Sequence, residues 1–303
     1  ISLAAIMLVA ASSFAVAEPQ NGLTLRIADT IGQIEVITGD YDRIEIKGAN
    51  GLNIDRDHAE TVLDGGEYTQ RTQCNSRNGN IEIGTRKSTG FRIFGLGKSD
   101  MKPLSDYPDL KITAPKGTKI IIEDSLLIGR IGDIGAAEIE MASCGDLSIA
   151  SIGGLFDLDL SGAGDIALGR AATASIEVSG AGDLSIDEIT GFADIESSGA
   201  GEIAIGRIGG GLRYEGSGAS DVNIEYVAGD LDIDSSGSGD VTIKGGNVDA
   251  LSIHASGASD VSYGGTAQSA KAHASGAADI SIPRPEGFLE TSDSGAGDVN
   301  IRK

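Results

Sequence analysis

The sequence predicts an all-β fold, a parallel β-helix (β-solenoid) with three sides and about 19 residues per coil. Three observations carry that expectation. A glycine-rich motif, Ser161-Gly162-Ala163-Gly164-Asp165, returns almost unchanged as far as Ser294–Asp298. The acid closing it falls at Asp146, Asp165, Asp183, Glu202, Asp221, Asp240, Asp260, Asp279 and Asp298, a mean period of 19 with every step between 18 and 20. Between the motifs runs apolar–polar alternation rich in β-branched residues, which makes strands, and no 3.6-residue period that would make a helix. Self-similarity at a short fixed period means units that stack, each burying its inner face against its neighbours.

Composition agrees. The 303 residues include 45 glycines, no tryptophan and only 4% aromatics, too little bulk for a thick globular core but suited to thin layers of Ile, Leu and Val. The formal net charge of −22 repels phosphate backbones, which excludes nucleic acid as a partner and disfavours anionic lipid unless divalent cations bridge the two.

In chain order, residues 1–17 read as a secretory signal peptide. An apolar run closes on Ala15-Val16-Ala17 before Glu18-Pro19, a small-residue cleavage site, although the initiator methionine and basic n-region are missing. The run is too short to cross a bilayer comfortably, and no later stretch approaches spanning length, so no transmembrane segment is expected. Residues 18–113 hold strand-like pieces without the motif, such as "LTLRI" and "IEVI", expected as irregular β coils that continue the solenoid and cap its first end. The loop 85–102 inserted there is the most basic and aromatic stretch of an acidic chain. Phe91, Arg92, Phe94 and Leu96 are its candidate partner contacts, against a plainer role in covering the rod's apolar end. Residues 114–303 form the regular solenoid. The two cysteines, Cys74 and Cys144, permit one disulfide without imposing it, and two separate thiols are the leading expectation.

Within a repeat, apolar residues lie one and three after the acid (Ile166 and Leu168, Ile203 and Ile205), with a third position six after it (Ile152, Ile189, Ile208, Val227). Another apolar column precedes the serine: Ile139, Leu158, Ile176, Ile195, Tyr214, Ile233, Ile253. Alternation passes unbroken through the motif, placing both glycines inward and the acid outward. The first glycine recurs at Gly162, Gly180, Gly199, Gly218, Gly237, Gly257, Gly276 and Gly295, departing only at Ser143. That position needs a positive φ or a corner with no room for a Cβ. The second glycine gives way to Ser220, Ser259 and Ala278, so it only needs to be small. Asp165, Asp183, Asp221, Asp240, Asp260, Asp279 and Asp298 are expected to accept hydrogen bonds from the serine hydroxyl or backbone N–H of a neighbouring coil, as structural corners rather than calcium ligands. The paired loops of a calcium roll are missing, and the motif opens no helix that could cradle phosphate.

The recurring SGAGD-[ILV]-x-[IL] unit, with "DLKITAPKGTKIII" at Asp109–Ile122, resembles the "putative auto-transporter adhesin, head GIN domain" family and related bacterial adhesins. The resemblance covers about Leu23 to the end. It implies a right-handed parallel β-helix, exported and associated with the cell envelope, and brings no site residues with it.

Two outward columns are candidate sites. Two residues before each serine stand Glu140, Asp159, Glu177, Glu196, Glu215 and Asp234, then His254 and His273. Carboxylates stacked at the strand spacing repel by roughly 1 kcal/mol per neighbouring pair in a water-like dielectric, which bound divalent cations would relieve. His254 and His273, beside Asp234, are metal-ligand types; on a flat strand without supporting groups, stacked surface histidines are the simpler expectation. A small polar column from Ser148 to Asn300 forms a flat face. No nucleophile–base pair, P-loop or zinc spacing appears, so an enzyme is not expected. The expected role is a non-catalytic, exported envelope protein, adhesin-like or structural, contacting a glycan or protein component of the cell surface. The alternative is a calcium-binding solenoid, with a polysaccharide-active enzyme less favoured. No cofactor beyond calcium is expected, and an open strand edge at the last coil suggests end-to-end self-association.

Overall fold

A computed structural model describes residues 22–66, 72–77, 80–85 and 101–303. Residues 1–17, expected as a signal peptide, and Phe91, Arg92, Phe94 and Leu96, expected as partner contacts, lie outside the described residues.

The chain is an all-β parallel solenoid of about 10 turns with about 19 residues each, as the period predicts. Its regular coils begin at β12 (Ala136–Met141), followed by β13 (Asp146–Leu160) and β14 (Asp165–Val178). Equivalent residues stack on one another: Asp146 pairs with Asp165 and Leu147 with Ile166, and after a one-residue register shift between Ile152 and Leu155, Leu158 pairs with Ile176. The coil through β14 turns three corners. Buried residues alternate strictly along Phe156, Leu158, Leu160, then through the motif to Gly164, Ile166 and Leu168, with a bend at Gly162-Ala163. The step from Leu168 to Ala171, and from Ala171 to Ala174, is three residues, so inward parity switches twice and supplies the other two corners. The interior is one continuous cluster of Ile, Leu, Val and Ala, with Phe156 fully buried.

The motif corner is held by backbone bonds between coils. The Ala181 N–H donates to the Gly162 carbonyl at 2.9 Å, and the Ala200 N–H to that of Gly180 at 3.0 Å. That contact leaves no space above the glycine: a Cβ on Gly180 would sit 1.8 Å from the Gly162 oxygen. Only the last three members, Gly257, Gly276 and Gly295, also adopt positive φ. The second glycine is tighter than its substitutions suggest. A Cβ at Gly182 would lie 1.9 Å from the Gly164 oxygen, so smallness alone does not satisfy that site.

The first coils do not stack in chain order. β1 (Thr24–Ala28) and β2 (Ile31–Gly39) make a coil, but the next strands turn back. β3 (Glu45–Lys47) pairs antiparallel with the later strand Asp109–Pro115, β4 (Asn53–Arg56) pairs antiparallel with β5 (Glu60–Asp64), and β5 lies parallel against β1. β6 (Thr72–Arg77), β7 (Asn80–Thr85) and β8 (Lys102–Pro103) form a separate antiparallel sheet. β9 (Asp109–Pro115) then returns beside β2. β10 (Lys119–Glu123) and β11 (Leu126–Ile134) cover the opposite sides of β1 and β2. The first coil of the sequence is therefore the second of the stack. Its corner is shorter than the glycine motif. Asp29 and Asp124 take positive φ, 48° and 44°, each followed by a buried hydroxyl residue, Thr30 or Ser125. Both hydroxyls donate back to a carbonyl two residues earlier at 2.8 Å, closing the turn locally.

The expectation of two separate thiols is corrected: Cys74 and Cys144 form a disulfide, with Cα atoms 6.3 Å apart across 70 residues of sequence. Spacing along the chain could not bring β6 onto the first motif corner; the excursion between β5 and β9 does.

Candidate functional site

Because coils stack in register, each outward position becomes a column. The acidic column is assembled on one face: Glu140 pairs with Asp159, Asp159 with Glu177, Glu177 with Glu196, Glu196 with Glu215, and Glu215 with Asp234. Among the described residues, no ion pair reaches Glu140, Asp159, Glu177, Glu196 or Asp234, whereas Arg213 pairs with Glu215 and lies 3.5 Å from Asp194. Glu177, Glu196, Glu215 and Asp234 line a groove of about 300 Å³ whose other wall carries Ser198, Ser217 and Ser236. The inner position between the two walls changes along the same coils: Leu160 and Val178 hold it in earlier coils, then Ser197, Gly216 and Ser235 replace them. Tyr214 restores the lost interior volume: its hydroxyl would stand 2.4 Å from a Cβ on Gly216, and burial pushes its phenol pKa up to about 12.

Electrostatics follows the stacking. Burial raises the pKa of Glu140, with Asp124, Asp159 and Glu123 adding to the shift. Asp157, in the neighbouring column, is raised by burial and then by Glu138, which is itself bonded by Lys119 at 2.7 Å.

The motif acids do something different. The N–H of Asp183 donates to Asp165 Oδ1 at 3.2 Å, that of Glu202 to Asp183 Oδ1 at 3.0 Å, and that of Asp240 to Asp221 Oδ1 at 3.1 Å. The same bond joins Asp260 to Asp240 and Asp298 to Asp279. One carboxylate oxygen of Asp165, Asp183, Asp221, Asp240 and Asp279 thus ties its coil to the next, whereas Asp260 and Asp298 enter these bonds through their backbone N–H.

A third column was not read from the sequence. Five residues after the acid, Ser151, Arg170, Glu188, Arg207 and Tyr226 stack in register. The Ser151 hydroxyl donates to Asp133 at 2.6 Å, Arg170 to Glu188 at 2.9 Å, and Arg207 lies 3.9 Å from Glu188 and 4.2 Å over the Tyr226 ring. Asn247 then donates to the Tyr226 hydroxyl at 3.1 Å. This face satisfies its own charges. Its recurrence at the coil period was the available signal, but it sits where inward parity switches and so escapes a period-2 reading.

His254 and His273 are register partners, with ring centroids 4.9 Å apart and planes tilted by 30°. His273 Nδ1 meets the Ser292 hydroxyl. Asp234 pairs with His254, yet among the described residues no group of three or more His, Cys, Asp or Glu is arranged to hold a metal ion. The small polar column runs unbroken through Ser148, Ala167, Ser185, Ala204 and Asn223. No described helix is long and apolar enough to cross a membrane.

A family model described as "Putative auto-transporter adhesin, head GIN domain" matches residues 32–210 and 210–302. No curated protein and no solved structure matches the chain.

Proposed function

Since the chain belongs to the auto-transporter adhesin, head GIN domain family, we propose that it is an exported, non-catalytic protein of the cell envelope that works by contact. Its ligand is a repetitive surface component, a glycan or a strand-rich protein, met by columns that repeat once per coil. The observation that supports this most is the contrast between two faces. The column from Ser151 to Tyr226 pairs its own charges, while among the described residues no ion pair reaches Glu140, Asp159, Glu177, Glu196 or Asp234. Stacking such acids costs folding energy, and a bound partner carrying donors or cations would offset it. The test is retention of the purified chain on isolated envelope material, compared with a variant whose acidic column is neutralised.

A second reading is that the same column binds divalent cations, calcium above all, weakly and along its length. The groove between Glu177 and Asp234 favours it, since hydroxyl and carboxylate oxygens line both walls and calcium takes 6–8 such ligands.

A further inference from the structure

We propose that the Cys74–Cys144 disulfide is a redox-sensitive clasp, which holds the β6–β8 sheet down on the rod and releases it on reduction while the rod itself stays folded.

Three observations converge. Among the described residues, the β6–β8 sheet shares no strand ladder with the 23-stranded sheet of the rod. Among the described residues, it docks through a satellite core whose buried members are Ile31, Ile83 and Leu126, with Ile83 contributed by the sheet. Leu104, Tyr107 and the two cysteines pack around them, half-buried. The rod's own interior, by contrast, runs from Leu25 to Ile282 as one cluster that does not include this patch. The anchor also occupies a chosen place. Cys144 stands where the motif carries alanine in later coils, as at Ala163 and Ala181, an outward position that gives the rod no core contact. The bond thus joins the sheet to the rod's surface and leaves the rod's packing alone.

Beneath the sheet, Ile31 and Leu126 are register partners on adjacent coils. They are buried although they belong to the satellite core rather than the rod's interior. Release would uncover two large aliphatic side chains on an otherwise polar surface. The chemistry is thiol–disulfide exchange with a dithiol reductant. One reductant thiolate attacks a cysteine sulfur, forming a mixed disulfide and freeing the other cysteine thiolate. The second reductant thiol then displaces the first cysteine, leaving both cysteines reduced and the reductant as its own disulfide.

The experiment is hydrogen exchange on the full chain, oxidised and after treatment with dithiothreitol, beside a C74S/C144S variant. A disulfide that mainly restrains a weakly docked element should give roughly 10- to 100-fold faster exchange over residues 72–85 once opened, with residues 146–302 unchanged. Unchanged exchange over 72–85 would overturn the proposal, because the satellite core would then suffice. Equal loss of protection along the coils would overturn it too, as would a variant that does not fold, since the bond would then staple the rod as a whole.

Discussion

Replacing Gly180 by alanine tests the corner geometry on which every regular coil depends. The added Cβ would lie 1.8 Å from the Gly162 carbonyl oxygen and 2.8 Å from its carbon, so the neighbour is backbone that cannot rotate away. Restoring an ordinary contact of a little over 3 Å requires the two coils to part by about 1.3 Å at this corner. That movement breaks the 2.9 Å bond from the Ala181 N–H to the Gly162 carbonyl, worth about 1 kcal/mol. Overpacking adds about 2 kcal/mol more. The expected loss is therefore about 3 kcal/mol in equilibrium urea unfolding followed by far-UV circular dichroism. The control is Ala181→Ser, one residue away and outward, which should stay within about 0.5 kcal/mol. A Gly180→Ala variant as stable as that control would show that the corner is not pinched, and the explanation of the recurring glycine would fail.

Two other outcomes follow from the acidic face. Glu140 has a raised pKa, so it binds its proton more tightly folded than unfolded; its ionised form destabilises the rod at neutral pH, and that penalty fades as pH falls through the folded pKa toward the ordinary carboxylate range. Glu140→Gln should therefore stabilise the protein at pH 7, by no more than a few tenths of a kcal/mol because solvent screens an exposed carboxylate, with the gain vanishing near pH 4 in thermal unfolding; a gain independent of pH would point to packing instead. If the column also takes calcium, equilibrium dialysis should find uptake at millimolar concentrations above that of a charge-matched control protein, and uptake equal to the control rules out the cation reading.

The regular coils were legible because their physics is local and repeated. Glycine fits where a Cβ would sit 1.8 Å from a carbonyl oxygen of the coil below, and β-branched residues alternate between two environments, so both leave a period in the sequence. The acidic column was legible for the same reason. The N-terminal coils were not. Thr24–Gly39 reads as ordinary strands, and nothing in those residues says that β5 and β9 will stack on one side of them and β10 and β11 on the other. That order comes from long-range burial, which a local pattern does not record. The disulfide was hidden by the same excursion, since the partner of Cys144 arrives from 70 residues earlier. The paired ladder through Arg170, Glu188 and Arg207 was hidden at a corner, where inward parity changes and an alternation rule loses its phase.

The most direct measurement of the contact proposal is cosedimentation of the purified chain with isolated envelope fragments, beside the variant Glu177→Gln, Glu196→Gln, Glu215→Gln, Asp234→Asn. These four side chains are exposed and outward, so the variant should keep its fold by circular dichroism. The account predicts saturable retention of the natural chain and at least tenfold weaker retention of the variant. Equal retention of the two would contradict it and move the contact to another face.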